Sequence, residues 1–289
     1  MDLKKWHVFL AVAKFGNFTK AGEELGYTQS GITQMMKNLE REVGFPLFNK
    51  TNHGITPSPE GIALLPSIRN LIASSESLKQ EISFLKGAER GTLKIGTYTS
   101  CSIHWIPKII REFQKNNPGI LFDIIEGHEN EIADWVLNYK VDIGFCSYQK
   151  NQTADFIPVH NDEMLAILPK GHPFSEYKEI PLELFQNAPF IICEYTYNTD
   201  IHQILKKYDI HPDIKYTMNN DFSILSMVEH NLGISILPEL VIRGRTGNFE
   251  VRPLTPYVYR ELGMTVHPSH DWSPAMKIFI RYAKEYLLA

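Results

Sequence analysis

Residues 17–44 read NFTKAGEELGYTQSGITQMMKNLEREVG, and this stretch determines the fold of the N-terminal part of the chain. Thr19 is a suitable N-cap for a short helix. Gly26 then allows a tight turn, and Thr28 is suited to cap a further helix over residues 29–42. Two short helices joined by a short turn that contains Gly are typical of a helix-turn-helix unit.

The helix that begins after Thr28 has two different sides. Its apolar side carries Ile32, Met35, Met36, Leu39 and Val43. Our candidates for DNA contacts lie at its start and on its polar side: Thr28, Gln29, Ser30, Thr33, Gln34 and Lys37. Amide and hydroxyl side chains can hydrogen-bond to base edges, and Lys can reach phosphates. A polar helix face that contacts only solvent is the alternative.

A hairpin is predicted directly after this helix. Two short strand-like pieces flank the sequence Thr51-Asn52-His53-Gly54, which is suited to a turn. Such a hairpin would form a wing beside the helices. We expect Lys50 and His53 to lie near the DNA backbone.

A long helical pattern begins at Ser58-Pro59-Glu60, an N-cap followed by favourable first-turn residues. It carries apolar residues at alternating spacings of four and three, with Ser75 in one place of the series: Leu64, Ile68, Leu71, Leu78, Ile82 and Leu85. Such a row favours pairing with a second helix, so we expect a linker and dimerisation helix. Packing on the core of its own domain is the alternative.

The N-terminal residues also follow a more specific pattern, in order: Phe9, Asn17 to Gly22, Leu25, Thr28 to Gln34, Leu39-Glu40, Val43 to Phe48 and Ile55 to Gly61. These pieces resemble the LysR-type transcriptional regulators. The resemblance implies a homodimer or homotetramer that binds operator DNA. It also implies that Gln29, Ser30, Thr33 and Gln34 read bases, with Lys50 and His53 as wing contacts.

The chain departs from that family pattern at four positions. Gly22 stands where the family usually has Ala. Gln34 stands where a basic residue is common, and Lys50 and His53 stand where Arg is common. Fewer fixed positive charges release fewer counterions from DNA, so we expect a shallow dependence of binding on salt.

Charge is distributed unevenly along the 289 residues, whose formal net charge is −4. Residues 1–90 hold 11 Lys and Arg against 9 Asp and Glu, whereas the remaining residues hold 18 against 24. The N-terminal part is therefore mildly basic, and we expect one copy alone to bind DNA weakly. A hydrophobic content of 43% excludes a disordered chain.

From Gly91 onward, short β-branched runs alternate with amphipathic helices, which predicts an α/β fold with a largely parallel sheet. The resemblance extends to the periplasmic-binding-protein-like (type 2) effector domain of the same family, which implies two lobes. We therefore predict a winged helix-turn-helix domain over 1–58, a linker helix over 59–88 and an effector-binding domain over 89–289, with lobe I at about 91–162 and 267–289 and lobe II at about 163–266.

Ligands of such sheets bind at the carboxyl ends of strands. The side chains predicted there are Thr99, Ser100, Cys101, His128, Ser147, Tyr195, Thr196, Tyr197, Asn219 and Phe222. Each is also compatible with a loop or a helix cap, as are Asn219 and Asn220 in particular. Because the predicted strand ends carry no Arg or Lys, we expect hydroxyls and backbone N–H groups to hold a polar metabolite such as a small organic acid.

Three cysteines, Cys101, Cys146 and Cys193, lie at predicted strand ends or just beyond one. They are too few and too scattered for a disulfide framework or a zinc site. Because a thiol sensor would need cysteines placed at strand ends, a redox- or thiol-responsive regulator is an alternative function. Cysteines in such places are more often small, buried and unreactive strand residues, and this is the other explanation of their positions.

An enzyme on a two-lobed α/β scaffold is a further alternative, with Ser100, Cys101, His104 and His128 as nucleophile and base candidates. The sequence lacks a nucleophile elbow, an HExxH motif, a P-loop and a GxGxxG motif after a strand. We therefore expect no enzymatic activity, no cofactor and no bound metal. The absence of a secretion core and of a long apolar run predicts a cytoplasmic protein and argues against solute capture.

Overall fold

The computed structural model describes residues 2–51, 54–86, 90–150, 152–193, 199–269 and 271–288. Its N-terminal part is a winged helix-turn-helix followed by one long helix. The elements are α1 (Leu3–Phe15), α2 (Phe18–Leu25), α3 (Gln29–Val43), β1 (Phe48–Thr51), β2 (Gly54–Pro57) and α4 (Pro59–Leu85). Gly26, in the left-handed region with φ 71°, ends α2 and permits the turn into α3.

The helix caps follow local side-chain chemistry, with one correction to the sequence analysis. Thr28 and Ser58 cap α3 and α4 as predicted, each accepting a hydrogen bond from the backbone N–H of residue 31 or 61. The N-cap of α2 is Asn17 rather than Thr19. Asn17 Oδ1 accepts the backbone N–H of Thr19 at 2.7 Å. The Asn side chain therefore satisfies an N–H group in the first turn of the helix.

The core of the N-terminal domain forms where the apolar sides of three helices meet. Its largest fully buried side chains include Phe9, Ile32, Leu39 and Leu47. The wing is fixed to this core through Glu40, whose Oε1 accepts the backbone N–H groups of Leu47 at 2.8 Å and Phe48 at 3.3 Å. One carboxylate on α3 therefore sets where the wing begins.

Replacing Glu40 by Ala should release the wing from α3. The part-buried N–H of Leu47 would lose its acceptor, at a cost of about 1–3 kcal/mol. We expect hydrogen exchange of the Leu47 and Phe48 amides to accelerate about tenfold or more, measured by mass spectrometry on peptides that span the two residues. Glu40→Gln keeps an acceptor oxygen and serves as the control. Equal protection in both variants would contradict this role.

Helix α4 divides its apolar row between two environments. Leu64 and Ile68 pack on the core of the helix-turn-helix domain, together with Ile72. Further along, the exposed large apolar side chains of the row are Leu71, Leu78, Ile82 and Leu85. The alternative that α4 packs on its own domain therefore holds for its first half, and the second half presents an apolar face outward.

The C-terminal part is a two-lobed α/β domain. The elements of lobe I are β3 (Gly91–Thr97), α5 (Thr99–His104), α6 (Ile106–Asn116), β4 (Ile120–Glu126), α7 (Glu129–Leu137), β5 (Ile143–Ser147) and α11 (Pro274–Leu288). The elements of lobe II are β7 (Ile180–Pro181), β8 (Pro189–Cys193), α8 (Asp200–Lys207), β9 (Asp213–Met218), α9 (Asp221–Glu229), β10 (Ser235–Pro238), α10 (Glu239–Ile242) and β11 (Phe249–Thr255). Short 3-10 helices lie at Pro173–Glu176 and Leu182–Phe185.

One strand, β6 (Asp155–Pro169), runs from lobe I into lobe II, and β12 (Tyr259–Val266) lies beside its first half. The first half of β6 pairs with β12, and its second half pairs with β10 and β11. The sheet is mixed rather than largely parallel: β3 is parallel to β4 and β5, whereas β12 is antiparallel to β5 and β6. The prediction missed this because β12 is a return strand, whose direction a local pattern does not encode.

The position of the second crossing also differs from the predicted boundary at residue 267. Strand β12 pairs with β5 of lobe I, and its side chains Leu262, Met264 and Val266 lie in the lobe I core. The chain therefore returns to lobe I before β12 rather than after it. No helix among the described residues is both long and apolar enough to cross a membrane.

Candidate functional site

The first candidate site is the polar side of α3. Gln29, Ser30, Gln34 and Lys37 are exposed there. Thr28 is exposed too, but its hydroxyl caps the helix and also lies 3.1 Å from the Ser30 hydroxyl. The capped N-terminal turn of α3 thus holds short polar side chains in a fixed orientation, which is how recognition helices present residues to base edges.

Two of the predicted base-reading side chains make hydrogen bonds within α3. The Thr33 hydroxyl donates to the Gln29 carbonyl oxygen at 2.9 Å, so Thr33 offers a methyl group and an acceptor oxygen. Gln34 Nε2 donates to Asn38 Oδ1 at 3.0 Å. In the wing, Lys50 is exposed on β1, and His53 lies outside the described residues. Together these groups form a mildly basic surface with a polar centre.

The second candidate site is the cleft between the two lobes. Of the residues predicted there, Thr99, Ser100 and His128 line it from lobe I. Lobe II contributes Asp200 and Asp221, the first residues of α8 and α9. The Thr99 hydroxyl donates to Glu126 Oε2 at 3.0 Å.

Arg260 is the principal cleft residue that the sequence analysis missed. It is the second residue of β12, is 9% exposed, and lines the cleft beside its ion-pair partner Asp162. The rule of carboxyl strand ends did not find it because Arg260 stands at the amino end of a strand. Since β12 is antiparallel to β5, that end lies beside the carboxyl end of β5.

The Arg260 guanidinium is bound on several sides. Its Nε donates to Asp162 Oδ2 at 2.9 Å, and one Nη lies 2.8 Å from the same oxygen. It also donates to the Ser100 hydroxyl at 3.1 Å, and its other Nη lies 3.8 Å from Asp200 Oδ2. Burial alone would lower the pKa of Arg260, but the Asp162 and Asp200 carboxylates outweigh it and raise the pKa above its usual value.

Asp221 stands in a different electrostatic environment. Burial raises the pKa of its carboxyl, and this outweighs the opposing effects of a hydrogen bond from Cys193 and of the charge of Arg260. Asp200 is tied to lobe I, since its Oδ1 accepts the Ser147 hydroxyl at 3.0 Å. Together with Asp162, Asp200 and Asp221 place three carboxyl groups near the single guanidinium of Arg260.

Other predicted cleft residues lie elsewhere. Cys101 is fully buried in the core of lobe I, because its position on α5 faces the core whereas Thr99 and Ser100 face the cleft. Ser147 is buried behind the cleft, where it contacts the Tyr98 hydroxyl at 2.9 Å. Asn219 is exposed and does not line the cleft, and Phe222 packs on the lobe II core under Arg245. Tyr195, Thr196 and Tyr197 lie outside the described residues.

Asn220 is the N-cap of α9, which is the alternative that the sequence left open for it. Its side chain accepts the backbone N–H of Phe222 at 2.8 Å. The polar residues that precede α9 thus serve the helix itself, and the first residue inside the helix, Asp221, faces the cleft.

The cysteines offer little support for thiol chemistry. Burial raises the pKa of Cys101 to about 12, so its thiol stays protonated at neutral pH. Cys146 is buried, with its Sγ 3.2 Å from the Thr265 hydroxyl oxygen. Of the three cysteines, only Cys193 lines the cleft. All three are free thiols. Within the described ranges, no group of three or more His, Cys, Asp or Glu side chains is arranged to hold a metal ion.

A winged helix-turn-helix, a long connecting helix and a two-lobed α/β domain with a polar cleft together define a DNA-binding transcription regulator with a ligand-binding domain. Family comparisons agree with this class. Residues 3–62 match the bacterial regulatory helix-turn-helix proteins of the lysR family, and residues 86–288 match the LysR substrate-binding domain. The chain belongs to the LysR family of transcriptional regulators, which are not enzymes.

Individual relatives match either the whole chain or its effector-binding part. It is 29% identical to the uncharacterized HTH-type transcriptional regulator YvbU of Bacillus subtilis, over 99% of this chain and 98% of that one. Full-length OxyR from Pseudomonas aeruginosa shares the fold, with a TM-score of 0.76 at 18% identity, covering 100% of this chain and 98% of that one. The effector-binding domain of QuiR, in complex with shikimate, has a TM-score of 0.62 at 25% identity, covering 68% of this chain and 97% of that one.

Replacing Asp221 by Asn should stabilise the ligand-free protein. The unfolded carboxyl ionises near about pH 4, and burial raises the pKa of the folded one. The native charge therefore costs free energy above that pH, and the cost disappears as the pH falls below it. We expect the Asn variant to have a higher Tm at pH 8 and an unchanged Tm near pH 4, measured by calorimetry. A lower Tm at pH 8 would contradict the inference. Asp123→Asn, on the exposed face of β4, is the control.

Proposed function

We propose that this LysR-family regulator binds operator DNA through α3 and the wing, and that a small-molecule effector in the interlobe cleft modulates this binding. The observation that carries the proposal is the cleft itself, where polar side chains of both lobes converge at Arg260. A ligand that contacts both lobes binds one arrangement of the lobes better than another, and this difference is what allosteric control requires.

Contacts between the lobes support this coupling. Ser147 and Gln149 of lobe I bind Asp200 and Gln203 of α8, at 3.0 Å in each pair. Both bonds join one side chain to another. An effector that competes for Asp200 would exchange bonds between lobes for bonds to ligand, and so would shift their relative position.

A double variant, Gln29→Ala with Thr33→Ala, should reduce sequence discrimination. Each lost base contact is worth about 1–3 kcal/mol. With an operator recovered by genome-wide occupancy mapping, we expect the affinity ratio between operator and scrambled duplex to fall about tenfold or more, measured by fluorescence anisotropy. Lys37→Ala is the matched control, because loss of a phosphate contact weakens both duplexes alike and makes the salt dependence shallower. Unaltered discrimination in the double variant would count against α3 as the reading helix.

We also propose that the exposed apolar face of α4 joins two copies of the chain. Leu78 is 57% exposed and Leu85 is 89% exposed, which is unusual for two large apolar side chains about two helical turns apart on one helix. Two helix-turn-helix units must be held at a fixed spacing to bind adjacent half-sites, and a helix pair beside them would do so.

Leu78→Asp combined with Ile82→Asp should separate the copies. Two carboxylates placed in an apolar helix pair remove its driving force and add desolvation, so the dimer dissociation constant should rise about 100-fold or more. Analytical ultracentrifugation at micromolar concentration would measure this. Glu81→Gln, an exposed change on the same turn, should leave the oligomer intact. Persistence of the oligomer in the double Asp variant would place the interface elsewhere.

A further inference from the structure

We propose that the effector carries an ammonium group, and that Asp200 and Asp221 bind this group in the cleft. This inference rests on the proposed function of the cleft and names the chemical class of its ligand. Two sources share the required chemistry, simple amines and zwitterionic amino acids. The experiment below separates them.

The charge of Arg260 is balanced by carboxylates of the protein itself. Its guanidinium makes two contacts of less than 3 Å to Asp162, whose side chain is fully buried. Asp162 is itself held by the backbone N–H of Leu240 at 2.9 Å. Pairing of Cα positions between β12 and β6 places these two residues opposite each other, so the ion pair is part of the sheet. A ligand carboxylate would have to compete with a built-in partner.

Among the described residues that line the cleft, carboxylates outnumber Lys and Arg side chains. Asp200 and Asp221 both face the cleft from lobe II, and Arg260 is the only Lys or Arg among the described residues that line it. The described lining therefore has an excess of negative charge.

This excess of negative charge favours a ligand that carries a cationic group. An ammonium group donates three hydrogen bonds and has a positive charge, so it can satisfy two carboxylates at once. An anion without a cationic group would meet like charges in a partly desolvated site, where repulsion is strong. A small organic acid, the class that the sequence analysis favoured, is therefore a poor match. The Thr99 and Ser100 hydroxyls on the opposite wall can hold polar groups of either source.

The test is a thermal-shift screen of the full-length protein with three sets of small metabolites matched in size: amines without a carboxylate, amino acids, and carboxylic acids without an amine. Each set includes a four-carbon probe, namely putrescine, 4-aminobutyrate and succinate. Compounds that bind the folded state raise Tm by mass action. We expect the stabilising compounds to come from the amine or amino acid sets, and which set does so identifies the source.

Variants then assign the binding to the two carboxylates. For each stabilising compound, Asp221→Asn and Asp200→Asn should raise Kd at least tenfold by titration calorimetry, and Asp123→Asn on β4 should not change it. Asp200→Asn also alters the bond to Ser147, so if that variant is poorly folded, Asp221→Asn decides. Binding of amines that is insensitive to Asp221→Asn would overturn the inference.

The remaining outcomes distinguish failure of this inference from failure of the proposed function. Stabilisation by carboxylic acids alone would overturn the ammonium assignment and leave the cleft as an effector site. Stabilisation by no compound of any set would count against the cleft as an effector site, and the ammonium assignment would fall with it.

Discussion

The buried ion pair between Arg260 and Asp162 is the interaction on which the arrangement of the effector domain depends. It joins β12 to β6, the strand that runs between the lobes, and extends to Ser100 on α5. A buried pair of this kind contributes little net stability, but loss of one partner leaves an uncompensated charge that costs about 3–5 kcal/mol. The pair therefore specifies one geometry at the crossing, and the walls of the cleft are built around it.

Helix α4 connects the effector domain to the helix-turn-helix domain. Its first half shares the core of the helix-turn-helix domain, and Phe84 near its end packs against the lobe I core. Gln80, 9% exposed, donates to the carbonyl oxygen of Thr92 at the start of β3. A single helix thus contacts both domains and connects lobe I to the core on which α3 packs.

Several parts of this structure were predictable because they depend on local spacing. The caps of α3 and α4, the turn at Gly26 and the apolar side of α3 all follow from residues within one or two helical turns of one another. Thr99, Ser100 and His128 were found by the strand-end rule, since β3 and β4 are parallel. Cys101 was misplaced because one residue of helical phase separates the cleft from the core.

The sequence by itself determined the family, the order of the domains and the two different sides of α3, because each rests on short-range periodicity or on a dense linear motif. Only the tertiary structure decided the chemistry of the cleft. Arg260 lies 98 residues from Asp162 and 160 residues from Ser100 along the chain. Antiparallel return of β12 brings them together, and helix starts in lobe II add Asp200 and Asp221. The direction of a strand is set by long-range pairing, so the charge of the cleft appears only after the chain has folded.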